Sequence, residues 1–232
     1  MAQISTTIAS PGVIRKTSEF NVFTFGERDS RPSERIAALQ QAINDAGSSA
    51  PVTDDIERDI WSKFVLFSAV SGITAAGRCT IGDIVSTPEL GVLFRQVVSE
   101  TAAIGRALGV SLRKDIETRT CAAASALPKN MRASTAIDLE NGRPLEIEWI
   151  SGAAARLAKK AGVNATINEA LYTLLLPHKR GNHRRLIPHK RPWCRRPRTA
   201  AESPILPCFC DAVHGSFHRR VGPISTNFGL LT

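Results

Sequence analysis

The sequence predicts a mostly α-helical protein, with a short β element before the helices and a basic tail after them. Three observations carry this. Apolar residues recur at helical spacing in successive segments between about residues 32 and 176. The stretch 3–28 has β-branched and alternating apolar residues around a Pro11-Gly12 turn signal. Beyond Pro177 the helical period ends, and arginine, histidine and proline take over.

Ile4–Ser10 and Phe20–Phe25 read as strands, the second from its apolar residues at 20, 22, 23 and 25. A lone hairpin is marginal in water, so this one needs a surface to pack on. From Pro32 the pattern is helical, with Ser33 as N-cap before Ile36, Ala37, Leu39 and Ile43, and Gly47 as the stop. Thr53 or Asp54 caps the next helix, which runs to about Ala76. Its apolar residues Ile56, Ile60, Trp61, Phe64, Val65, Phe67 and Ala69 cover more than one stripe, which puts this helix at the centre of the core. Pro88 opens a helix ending at Gly109, and residues 114–126 form another. Ser134 caps a short helix through Leu139, and Asn141-Gly142 turns the chain. Leu145–Ala161 and 166–176 complete the set.

The 232 residues suffice for one large domain or two small ones, and 43% hydrophobic content is that of a globular protein. No apolar run reaches the ~18 residues of a membrane helix. The N-terminus lacks the basic and apolar regions of a signal peptide. Five cysteines, with no close pair in the first 200 residues, point to a reducing compartment, so the expected location is cytoplasmic. The net charge of +9 is confined to the tail. Residues 1–176 hold 19 basic and 19 acidic residues, whereas 177–232 hold 11 basic residues against Glu202 and Asp211. That balance excludes bulk phosphate binding as the work of the first 176 residues.

Lys63 is the first candidate for chemistry. It lies four residues before Phe67 and eight before Ser71, so the three share a helix face. A lysine there either snorkels to the surface or faces a polar cleft, where it could donate a proton or hold an anion. Glu146 opens the expected helix Leu145–Ala161, where it, or equally Glu148, could simply complement the helix dipole. Ser134 and Asp138, one turn apart, have ordinary readings as a cap and a solvated residue.

Together these residues fall into an ordered set of motifs. Ile60-Trp61-Ser62-Lys63-Phe64, Ala133-Ser134-Thr135-Ala136-Ile137-Asp138-Leu139, Gly142-Arg143-Pro144-Leu145-Glu146-Ile147-Glu148 and Ser151-Gly152 resemble the C-terminal domain of the ketopantoate reductase (2-dehydropantoate 2-reductase) family. Pro11-Gly12-Val13-Ile14 and Phe25-Gly26-Glu27 resemble the end of that family's nucleotide-binding domain. The resemblance covers about 1–180. It implies a helical bundle of the 6-phosphogluconate-dehydrogenase C-terminal-like type over 31–178, serving substrate binding and homodimerisation. Residues 1–30 would be a remnant of a Rossmann-like domain, and 179–232 a disordered basic tail. It also implies NADPH-dependent reduction of a small 2-oxo acid to a 2-hydroxy acid, a step of pantothenate biosynthesis. By the same resemblance Lys63 would be the general acid at the carbonyl oxygen. Glu146 would sit by Lys63 and tune the proton transfer, and Ser134 and Ser71 would occupy substrate-binding positions. Asp138 matches a family position without an assigned role.

The sequence departs from the family in two respects. Family members carry asparagines one and two turns after the lysine, where this chain has Phe67 and Ser71. An apolar Phe67 cannot replace an amide donor, so the expectation is a different, more apolar 2-oxo acid. The family's G-x-G-x-x-G turn, which holds a dinucleotide pyrophosphate at a helix N-terminus, is also missing: Gly72, Gly77 and Gly82 do not match it. The expectation is therefore a chain that enters partway through the nucleotide-binding domain and is inactive alone. The alternative is a non-catalytic helical dimerisation module.

Three readings stay open for the tail. Cys208-x-Cys210-x3-His214-x3-His218 has zinc-ligating residue types at a spacing tighter than usual, and no metal is expected. Arg184-Arg185, Lys190-Arg191 and Arg195-Arg196 with Trp193 could form a nucleic-acid arm. The favoured reading is no selected function, because the shift in composition falls where the resemblance stops.

Overall fold

One long helix organises the molecule. The computed structural model describes residues 1–181, and the tail readings above lie outside the described residues. In chain order the elements are β1 (Ala2–Ser10), β2 (Val13–Phe23), α1 (Glu34–Asp45), α2 (Ile56–Ala76), α3 (Ile81–Ser86), α4 (Pro88–Ala107), α5 (Ile116–Ala126), α6 (Ser134–Glu140), α7 (Ser151–Ala161) and α8 (Thr166–Leu175). A short 3-10 turn, Leu176–His178, follows. The protein is mostly helical, as the sequence predicts.

β1 and β2 pair antiparallel about Gly12, whose φ of +78° is one that glycine adopts without strain. The second strand starts at Val13, directly after the turn, rather than at Phe20. Its far end is flanked by the segment after α1, through parallel bridges Val22↔Ser49 and Phe25↔Val52. Ser33 caps α1 as expected, accepting from the Ile36 amide.

α2 contacts α4, α5, α6, α7 and α8. Its cap is Asp55, which accepts from the Arg58 amide at 2.9 Å, and not Thr53 or Asp54. Thr53 instead accepts from the Asp55 amide, and Asp54 pairs with Arg58 at 2.8 Å. The stretch Ser68–Ala75 of α2 is wholly buried, while Ile60 and Phe67 before it are 50% and 47% exposed. Val65, Ala69, Val70 and Ile73 pack with Ile84 of α3, Phe94, Val97 and Val98 of α4, and Leu171 of α8. Each valine, isoleucine, leucine or phenylalanine among them contributes about 1.5–3 kcal/mol on burial. α8 comes close because α2 has Gly72 at the contact, where a Cβ would lie 2.8 Å from Leu171 Cδ1.

Three further elements differ from the sequence expectation. α3 was not anticipated; Thr80 and Asp83 form a reciprocal capping box that starts it, and Ile81 and Ile84 bury its inner face. α6 has Ala133 at its cap, so Ser134 is the first helical residue and does not cap. α7 begins at Ser151, not Leu145. Leu145 and Ile147 reach the core from an irregular segment, beside Ala75, Ala136 and Leu175.

Candidate functional site

Because Lys63, Phe67 and Ser71 recur every fourth residue, they line one face of α2. That face forms one wall of a cleft of about 720 Å³. β1 supplies another wall through Gln3, Ile4, Thr6 and Thr7, and the segment 127–133 and α6 supply the rest, including Met131, Arg132, Ser134, Ile137 and Asp138. Arg143 and Ile150 complete the lining. The cleft brings Lys63, Ser71 and Ser134 together, three of the four site residues picked from the sequence.

Lys63 does not snorkel into open solvent. Its Nζ donates to the Ala2 carbonyl at 2.7 Å and lies 4.8 Å from the centroid of the Phe67 ring, within cation–π range. Lys63, Leu66 and Phe67 also border a smaller cavity of about 380 Å³, shared with Asp59, Arg119 and Thr120. The lysine thus stands on a ridge between two cavities.

The opposite wall is fixed by hydroxyl groups of α2. Ser71 Oγ and Thr135 Oγ1 are hydrogen-bonded at 2.7 Å, both buried. One turn on, Thr74 Oγ1 accepts from the Ala133 amide at 3.2 Å. These bonds place the first turn of α6, with its exposed Ser134, at the cleft. The segment 127–133 is held by α3, whose Ile81 and Gly82 amides donate to the Met131 and Lys129 carbonyls at 2.9 and 2.7 Å.

The lining carries three cations, Lys63, Arg132 and Arg143, against one carboxylate, Asp138. Asp138 pairs with Arg143 at 3.1 Å, and Arg132 pairs with Glu140. The sequence motifs include Arg143 without giving it a role and stop one residue short of Arg132; the signal for Arg132 is a basic residue directly before Ala133. The excess of positive charge suits an anionic ligand.

Glu146 stands apart. It is exposed, is not part of the cleft lining, and lies in the segment before α7 rather than in a helix. Among the described contacts, none joins it to Lys63. Its neighbour Glu148 is the engaged carboxylate, accepting from Lys179 Nζ at 2.6 Å, Tyr172 OH at 2.7 Å and Arg156 at 3.0 Å. The Lys179 ammonium, and then the Tyr172 hydroxyl, hold the Glu148 carboxyl at about 2, well below the usual carboxylate range. Glu148 clasps the segment before α7 to α8 and to the residues after it.

The described residues do not fit a dinucleotide pyrophosphate. Such a group needs a glycine-rich turn between a strand and a helix, with free amides at the helix N-terminus. Between β2 and α1 the only glycine is Gly26, and a Cβ there would lie 2.8 Å from the Thr53 carbonyl oxygen, so its open face is filled by backbone. Among the described residues no group of three or more His, Cys, Asp or Glu could hold a metal ion, and no helix is long and apolar enough to cross a membrane.

Helices packed around one largely buried helix, with a cationic cleft on its exposed flank, make up a helical ligand-binding type of domain. The chain belongs to the ketopantoate reductase family: the family model described as "Ketopantoate reductase PanE/ApbA C terminal" matches residues 55–179. It is 32% identical over 150 residues to the 2-dehydropantoate 2-reductase of Archaeoglobus fulgidus, covering 65% of this chain and 50% of that protein. The structure of 2-dehydropantoate 2-reductase from Methylococcus capsulatus superposes with a TM-score of 0.70 at 27% identity, covering 78% of this chain and 64% of that one. A dimeric ketopantoate reductase from Staphylococcus aureus shares the fold, with a TM-score of 0.69 at 20% identity over 77% of this chain and 60% of that one. The chain spans about half the length of the curated relatives it matches.

Proposed function

We propose that the cleft is the substrate side of an NADPH-dependent reduction of a 2-oxo acid to a 2-hydroxy acid. The observation that carries this is the meeting of Lys63, Ser71, Ser134 and Arg143 on one cleft with a surplus of positive charge. In this reading Arg143 takes the substrate carboxylate, exchanging part of its bond to Asp138 for a charged fork-to-fork contact. Ser134 donates a hydrogen bond to the same carboxylate or to a substrate hydroxyl. Ser71 acts from behind, holding α6 through Thr135. Lys63 Nζ leaves the Ala2 carbonyl, points at the ketone oxygen, and gives it a proton as negative charge develops there. No step is given to Glu146, which lies off the cleft. The hydride donor proposed by kinship is NADPH; the described residues do not fit its pyrophosphate, so no step is drawn through it. The assembly proposed by the same kinship is a homodimer.

Isothermal titration of the chain with ketopantoate and with 2-oxobutanoate tests the site. The expected result is saturable binding that weakens about tenfold or more in Lys63→Ala and in Arg143→Ala, since a hydrogen bond to a charged group contributes about 1.5–3 kcal/mol. Binding unchanged in both variants, or no binding of either acid to the unaltered chain, would overturn it.

A further inference from the structure

Phe67 is an unusual side chain for the wall of an anion site. It is large, 47% exposed, and turned to the cleft on the same helix face as Lys63. Its ring is close enough to the ammonium, 4.8 Å from centroid to Nζ, that both must meet the same part of any bound molecule. A ketone oxygen hydrogen-bonded to Nζ would sit about 2.8–3.0 Å from it. The substituents of that ketone carbon then fall within reach of the ring. One substituent is the carboxylate, which the arginines draw to the α6 side. The other is the side chain of the acid, and it faces hydrocarbon: Phe67, with Leu66, Val70, Leu127, Met131 and Ile137 around the same cleft.

Size argues the same way. About 720 Å³ lies within the ~300–1,000 Å³ range of pockets that enclose drug-sized ligands, so a three- or four-carbon acid would leave most of this one unfilled.

We infer that Phe67 is a specificity-determining residue, and that it turns the cleft towards 2-oxo acids whose side chain ends in hydrocarbon and against those whose side chain ends in a hydroxyl. This rests on the reading of the cleft as a 2-oxo-acid site. A hydroxyl laid against the ring loses its water and gains no donor or acceptor from position 67. A methyl group in the same place keeps the contact. In an apolar pocket a single such group is worth about 10–200-fold.

Two acids of the same shape isolate the effect. Ketopantoate carries a terminal hydroxyl where 3,3-dimethyl-2-oxopentanoate carries a methyl group. Both are titrated calorimetrically against the full chain, against Phe67→Asn and against Phe67→Leu, with circular dichroism checking that each variant keeps its helices. The expected result is that the unaltered chain binds the methyl acid about tenfold or more tighter. Phe67→Leu should keep that order, and Phe67→Asn should erase or reverse it. Equal affinities for the two acids, or an order that Phe67→Asn leaves untouched, would overturn the role of Phe67 while leaving the acid site standing. Binding of neither acid would remove the acid site itself, and the inference with it.

Discussion

Ser71 of α2 and Thr135 of α6 share a 2.7 Å hydrogen bond in the buried seam behind the cleft. It is a side-chain bond between residues 64 apart in sequence, and the residue next to Thr135 is Ser134. Ser71 is therefore a support for the wall as well as a lining residue. Removing one hydroxyl leaves the other buried and short of a partner, at a cost of about 1–3 kcal/mol. Ser71→Ala and Thr135→Val should each lower the stability measured in urea by that amount. The double variant should lose clearly less than the two added together. Strict additivity would mean that the two hydroxyls do not depend on each other.

Ser134 should behave in the opposite way. It is exposed in the first turn of α6 and does not cap the helix. Ser134→Ala should leave the urea midpoint nearly unchanged, within about 0.5 kcal/mol, as surface substitutions do. Its effect should appear in 2-oxo-acid binding, as a several-fold rise in Kd. A large stability loss with unchanged binding would reverse the two assignments.

This contrast marks how far the sequence could be read. α2 was legible because its apolar residues surround it, and α4 because Pro88 and Gly109 bracket a regular stripe. α3 was missed although Thr80-x-x-Asp83 announces it, since six residues are too few to establish a period. The start of α7 was misplaced because Leu145 and Ile147 look like the first turn of an apolar helix. Their spacing of two is wrong for one helix face, and both are buried from an irregular segment in which Trp149 is 76% exposed. The same misreading attached Glu146 to a helix end that does not exist. Lys63 and Ser134 were legible as motif members and Ser71 from its spacing of eight after Lys63, but the bond from Ser71 to Thr135 and the pairing of Arg143 with Asp138 are tertiary facts that no spacing encodes.

A second long-range contact should govern the last helix. The residue before α8 is Ala165, which has no side-chain acceptor to cap it. Glu100 of α4 supplies one, accepting from the Ile167 and Asn168 amides at 2.9 and 3.0 Å and from Asn168 Nδ2 at 2.9 Å. Glu100→Ala should destabilise the protein by about 1–3 kcal/mol, because orphan amides and a buried amide side chain lose their partner together. Glu100→Gln should recover part of this, through one amide oxygen. Hydrogen exchange should show the first-turn amides of α8 losing protection in Glu100→Ala. Unaltered protection there would mean that the helix start is held by other groups.

The clasp at Glu148 should give the protein a pH dependence with a definite sign. Glu148 is held at about 2, first by the hydrogen bond from Lys179 and next by that from Tyr172. A carboxyl whose value is lowered in the folded state stabilises that state above the ordinary carboxylate range. The stabilisation is lost as the pH falls through the folded value. Comparing Glu148→Gln with the unaltered chain in urea should therefore show the variant less stable at neutral pH. The gap should narrow steadily from about pH 4.5 towards pH 2. The partner titrates at the other end of the scale: the same hydrogen bond pushes the Tyr172 hydroxyl above its ordinary value. Tyr172 is the single tyrosine of the chain, so the near-ultraviolet absorbance of tyrosinate reports on it alone. In Glu148→Gln the alkaline titration should move down, towards that of free tyrosine, because the negative neighbour that opposes ionisation is gone. A titration that stays where it was would show that Glu148 and Tyr172 are not bonded in solution, and the clasp would then rest on Lys179 and Arg156.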